Sequence, residues 1–112
     1  MESLRQQKVA RLIQKELATI FQRDASKYVP GSMISVTVVR ISPDLSVARI
    51  YLSLFPVKDK KAALENIQKN GWEIRKNLSA QIRNQARVVP ELVFIIDDSI
   101  DHAARIDELL KK

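Results

Sequence analysis

A chain of 112 residues, 46% apolar and 29% charged, has room for one hydrophobic core but not two, and this balance excludes disorder along its whole length. It contains no cysteine, which rules out disulfides and thiolate metal sites and gives no sign of an oxidising compartment. The net charge of +6 is unevenly spread: residues 1–90 carry sixteen Lys and Arg against seven Asp and Glu, residues 91–112 three against six. A basic body with an acidic end points to a polyanionic partner, nucleic acid ahead of a membrane surface, against the plainer reading that the charge only serves solubility.

The opening "MESLRQQKVARLIQ" has an early acid and no apolar h-region, and no stretch reaches about 18 apolar residues; neither export nor membrane spanning is expected, and a cytoplasmic location is. Val9, Leu12, Ile13, Leu17, Ile20 and Phe21 form one stripe of a 3.6-residue period, predicting a first helix over roughly 3–23. Its outer positions hold Arg5, Lys8, Arg11 and Lys15, read as a solvated face with a partner surface as the alternative. Pro30-Gly31 breaks the chain. In "MISVTVVRIS", Ile34, Val36 and Val38 alternate with Ser35 and Thr37; in "VARIYLSLF", Ala48, Ile50, Leu52 and Leu54 point away from Arg49, Tyr51 and Ser53. With "SPDLS" as the turn, residues 33–55 read as an antiparallel hairpin ended by Pro56.

From about Lys60 the helical period returns, through Leu64, Ile67, Gly71, Ile74, Leu78 and Ile82. Nearly thirty residues is too long for one helix in this chain, so a kink is expected at Asn70-Gly71, with Ser79 as a second candidate. Past Pro90, "LVFII" reads as a strand central in the sheet or buried on both faces. "DDSIDHAARIDELLKK" reads as a last helix capped by Asp98 or Ser99, docked through Ala103, Ile106 and Leu110. The domain is therefore taken as 1–98, with 99–112 a C-terminal helix or tail.

This is the α-β-β-α-kink-α-β order of a type II KH domain, an α+β fold that presents RNA to a helix-turn-helix cleft. The usual KH clamp needs GxxG so that backbone amides can approach phosphates. Here the two glycines, Gly31 and Gly71, are forty residues apart, and no such clamp exists.

"RQQKVARLIQKELATIF", "GSMISVTVVRISPDLSVARIYLSLFP", "RNQARVVPELVFIIDDSID" and "RIDELL" together resemble ribosome-binding factor A over nearly the whole chain. The resemblance implies a type II KH-like fold with a three-stranded sheet, in which an Ala-x-Gly kink replaces GxxG. It also implies binding to the small (30S) ribosomal subunit, help in late maturation of its 16S rRNA, a role in cold adaptation, and GTPases acting on the same particle. The sequence departs from the family in placing "KNGW" at the kink, without the alanine.

If the stretch after Gly71 is helical, Lys76, Arg83 and Arg87 fall within about 40° of each other, opposite Ile74, Leu78 and Ile82. Arginine forks and a lysine point charge suit phosphate oxygens, so these three are expected to contact RNA backbone rather than read bases. Lys69 and Arg75 are added as candidates, Arg75 with packing or pairing to a carboxylate as the alternative. The kink itself is assigned to Asn70, Gly71 and Trp72, with Trp72 an anchor of the kink in preference to a base-stacking ring. Lys58, Lys60 and Lys61 cluster at a helix start, where the helix dipole disfavours cations.

Nothing points to an enzyme. His102 beside Asp98 and Asp101 reads as an exposed helical histidine rather than a base, and capping accounts for Asp98 and Asp101 without Asp97 joining them around a metal. No phosphate loop, nucleophile elbow or Cys/His spacing occurs. The expectation is a cofactor-free, metal-free monomer; the rivals are a protein-interaction module using the acidic end and a nonspecific RNA chaperone.

Overall fold

The computed structural model describes residues 3–85 and 89–97. Its first helix, α1 (Leu4–Tyr28), begins in a capping box: Gln6 N donates to Ser3 Oγ at 3.1 Å, and Ser3 N donates to Gln6 Oε1 at 2.7 Å. The helix runs five residues beyond the expected end at 23. Arg23, Asp24, Ser26 and Lys27 hide the periodicity there, but Ala25 packs on the core and Tyr28 is fully buried, so the apolar stripe continues for one more turn. Val29, Pro30, Gly31 and Ser32 then form a turn closed by Ser32 N donating to Val29 O at 3.2 Å, with Gly31 at φ +81°.

Strands β1 (Met33–Ile41) and β2 (Val47–Phe55) pair antiparallel as expected. The inward face of β1, however, does not continue from Val36 to Val38. A bulge at Thr37 shifts the register, so Val38 lies opposite Tyr51 on the outer face while Val39 and Ile41 turn inward and are buried. Thr37 is held by Oγ1 donating to Tyr51 O at 3.2 Å and to Asp97 Oδ2 at 2.7 Å. Ala48, Ile50, Leu52 and Leu54 of β2 all face the core.

The turn between the strands is organised by Asp44, whose Oδ1 accepts from Ser46 Oγ and Ser42 Oγ at 2.7 Å each and from Ser46 N at 3.1 Å. The Ser46 hydroxyl, followed by that of Ser42, pulls the Asp44 carboxyl down to about 2. A carboxyl with a depressed folded value contributes stability above its unfolded value near 4 and loses it as pH falls towards 2. Asp44→Ala is therefore expected to melt below the parent at pH 7, with the gap closing between about pH 4 and pH 2, as circular dichroism melts across that range will show.

Helix α2 (Lys60–Lys69) starts at Asp59, whose side chain accepts from Ala62 N at 3.1 Å, and α3 (Gly71–Ile82) follows after a single residue. Strand β3 (Glu91–Ile96) returns parallel to β2, giving the order β1-β2-β3. The expectation of a central or doubly buried β3 is therefore corrected: β2 is central and β3 lies at an edge. Phe94 alone in β3 is buried, Leu92 and Ile96 pack against the core, and Val93 is 40% exposed on the outer face. The branched run "LVFII" reads as a doubly covered strand because parallel pairing requires a covered inner face, but it carries no information about the outer one.

The helices cover one face of the sheet, and the rows Arg40–Arg49–Val93 and Val38–Tyr51–Ile95 line the other. Phe21 ties the layers together, meeting Tyr28 and Phe94 edge-on at centroid distances of 6.1 and 6.2 Å. No helix among the described residues is long and apolar enough to cross a membrane. The expected terminal helix, with Asp98, Asp101, His102 and its docking residues, lies outside the described residues.

Candidate nucleic-acid interface

Asn70 makes the break. It sits at φ −94°, ψ 10°, and donates from its backbone N–H to Asn66 O and Ile67 O and from Nδ2 to Asn66 O at 2.8 Å, while its own carbonyl accepts the first bond of α3 from Ile74 N at 3.0 Å. Ser79, the second candidate, lies inside α3 with its hydroxyl donating to Arg75 O. The Asn70 side-chain amide adds a second donor to the Asn66 carbonyl, while the backbone N–H is shared with Ile67 O, a tightened last turn that closes α2 at this residue.

Gly71 is not needed for its conformational freedom. An added Cβ would stand 3.9 Å from Phe94 Cε2, an ordinary contact, whereas Gly31 occupies the left-handed region. Gly71→Ala is accordingly expected to keep or raise stability by about 0.5–1 kcal/mol, and Gly31→Ala to lower it by about 1–2 kcal/mol. Urea midpoints of the two variants, moving in opposite directions from the parent, check this.

The first turn of α3 is fixed from two sides. Glu73 pairs with Lys27 in the last turn of α1, each charge at the helix end whose dipole favours it, and the lysine's ionisation is raised by this bond. Arg75 donates from Nε to Pro90 O at 3.2 Å and from a terminal nitrogen to Val89 O at 2.8 Å. It clamps the segment entering β3, so the pairing foreseen for it with a carboxylate is made with backbone carbonyls instead.

Between these ties the outer side of α3 is open. Trp72 is 75% exposed and Lys76 Nζ lies 5.2 Å from its ring centroid, a cation over an aromatic face one turn apart. This overturns the expectation of Trp72 as an anchor of the kink. Arg83, seven residues after Lys76, is exposed and retains helical backbone angles as the C-cap of α3; the two cations thus stand about 10 Å apart along one face. Lys69 is exposed at the end of α2, just before the break. Arg87 lies outside the described residues. Exposed Trp72, Lys76 and Arg83 thus share one helix, while Ile74, Leu78 and Ile82 are fully buried beneath it.

Residues 5–110 match the family model described as ribosome-binding factor A. The chain belongs to the ribosome-binding factor A family. A ribosome-binding factor A from Cytophaga hutchinsonii is 50% identical over 112 residues, covering 100% of this chain and 84% of that protein. One from Flavobacterium johnsoniae is 46% identical over 111 residues, covering 98% and 85%. Among solved structures, the crystal structure of ribosome-binding factor A from Thermus thermophilus superposes with a TM-score of 0.68 at 21% identity, covering 81% of this chain and 94% of that one. A homology model of Thermus thermophilus ribosome-binding factor A, fitted into a cryo-EM map of a 30S–ribosome-binding factor A complex, gives 0.65 at 22% identity, covering 80% and 91%. These likenesses show the KH-like α+β fold of the ribosome-binding factor A family. Relative to a clamp-bearing KH domain, the turn here offers a side-chain platform, Trp72 and Lys76, in place of a glycine loop.

Proposed function

We propose that this protein binds the small ribosomal subunit through its 16S rRNA and assists late maturation of that RNA by binding alone, without catalysis, cofactor or metal. Family membership over essentially the whole chain carries this reading. The α3 face supplies its physical means: Lys76 and Arg83 contact phosphates, Lys69 extends the positive strip before the break, and Trp72 stacks on an unpaired base; Arg87, outside the described residues, is assigned a phosphate contact from the sequence alone. Arg75 serves the same surface indirectly, by holding α3 against the strand that follows.

The protein acts in the cytoplasm as a monomer, on a particle on which ribosome-associated GTPases also work, with residues 1–98 as the binding domain. Neutralising four or five phosphates gives log affinity a slope of roughly −3 to −4.5 against log salt. Co-sedimentation with small subunits, large subunits and an unrelated folded RNA tests the reading. A preference for the small subunit that persists at physiological salt is expected; equal binding to all three that vanishes with salt would make the protein a nonspecific RNA chaperone.

A further inference from the structure

Two connections meet at one end of the sheet, where α2 begins. Residues 29–32, between α1 and β1, and 56–59, between β2 and α2, are tied by Ser32 Oγ donating to Pro56 O, and with α2 they border an open depression of about 750 Å³. Its lining is largely apolar: buried Val29 and Ala63, Val57 packed against the core, and exposed Pro30 and Pro56. Next along the chain, Met33 and Phe55 lie directly opposite each other at the end of the β1–β2 pair, 72% and 74% exposed. Large apolar side chains grouped in water in this way mark a contact surface, where a single exposed one would not.

An RNA backbone does not suit this surface. The Ser32 hydroxyl is engaged by Pro56 O, the Asn66 amide donates to Tyr28 O, and the Asp59 carboxylate, which caps α2 by accepting from Ala62 N at 3.1 Å, would repel a phosphate. What remains is apolar surface flanked by Lys58 and Lys61, both exposed and without an ion pair among the described residues. Cations at the start of α2 oppose the helix dipole, a cost that a carboxylate from outside offsets. The surface therefore fits a protein segment that brings an aliphatic or aromatic anchor beside acidic residues. Helix α2 has ten residues, which sets this surface about 15 Å along the helix from the break at Asn70. With α3 on 16S rRNA, a partner so close belongs to the same particle.

We propose that the end of the sheet around Met33 and Phe55 is a protein-docking surface, taking an acidic, apolar-anchored segment of a small-subunit protein beside the RNA that α3 holds. The proposal rests on the small-subunit reading above but on none of its residues. Photocrosslinking tests it. The full chain with benzoylphenylalanine replacing Phe55, bound to purified small subunits and irradiated, crosslinks to a small-subunit protein at a peptide rich in Asp or Glu, identified by mass spectrometry. Lys58→Glu with Lys61→Glu removes that crosslink and weakens subunit binding about tenfold. The same double variant melts no lower than the parent, because acidic residues suit the start of α2.

Crosslinks to 16S rRNA, to the chain's own residues, or to a protein segment whose capture does not depend on Lys58 and Lys61 overturn the docking surface and leave the α3 reading intact. So does bound protein that yields no crosslink from this position. Failure to bind small subunits at all, read before irradiation, removes the small-subunit reading and this proposal with it.

Discussion

Reversing the charge of the α3 face, with Lys76→Glu and Arg83→Glu together, is expected to weaken small-subunit binding by on the order of 100-fold at physiological salt, since like-charge contacts with phosphate cost several kcal/mol. Both side chains are exposed and neither belongs to the buried set, so thermal stability should stay within about 0.5 kcal/mol of the parent. Lys76 is the more informative of the two, because it lies against the Trp72 ring: its removal strips a cation from the stacking surface as well as from the phosphate path. Trp72→Ala is the matching control, expected to lower affinity with little change in salt slope, since stacking displaces no counterions. Binding titrations of the double variant at several salt concentrations decide the point. Undiminished affinity would remove α3 from the interface.

Phe21→Ala is expected to destabilise the fold by about 3–5 kcal/mol, the largest effect of any single change considered. Phe21 is fully buried and meets Tyr28 within α1 and Phe94 on β3, so its loss leaves a cavity where the helical layer and the edge strand join. Typical domain stabilities of about 5–15 kcal/mol leave little margin, and much of the variant would be unfolded at 37 °C. Urea denaturation followed by circular dichroism gives the number. A loss below about 1 kcal/mol would mean that α1 and β3 are not coupled through this ring.

The parts of the fold that were legible in the sequence are those where one residue type has one physical meaning. Alternation in β2 placed Ala48, Ile50, Leu52 and Leu54 in the core, and all four are buried. Asn70-Gly71 marked the helix break, and the break is there. The bulge at Thr37 was hidden because Val38 and Val39 are equally apolar, and only pairing with Tyr51 decides which faces the core. The outer exposure of β3 was hidden because neighbours, not composition, make a strand central.

The same limit applied to the interface. Lys76 and Arg83 could be placed on one face from helical spacing, but Arg75, one residue away, is held by the Val89 and Pro90 carbonyls, a tertiary contact that no periodicity encodes. Trp72 was read as an anchor because large aromatics are usually buried, yet its position in the first turn of α3 leaves it 75% exposed.

The absence of cysteine allows the most direct test of the central claim. A single cysteine at Ala80, exposed on α3 between Lys76 and Arg83, is loaded with a tethered iron chelate, and the protein is bound to small subunits. Local hydroxyl radicals should then cut 16S rRNA at a few discrete positions, and the cuts should disappear when Lys76→Glu and Arg83→Glu are added. Bound protein that leaves 16S rRNA uncut from this position would contradict the account, because α3 would then face something other than the RNA.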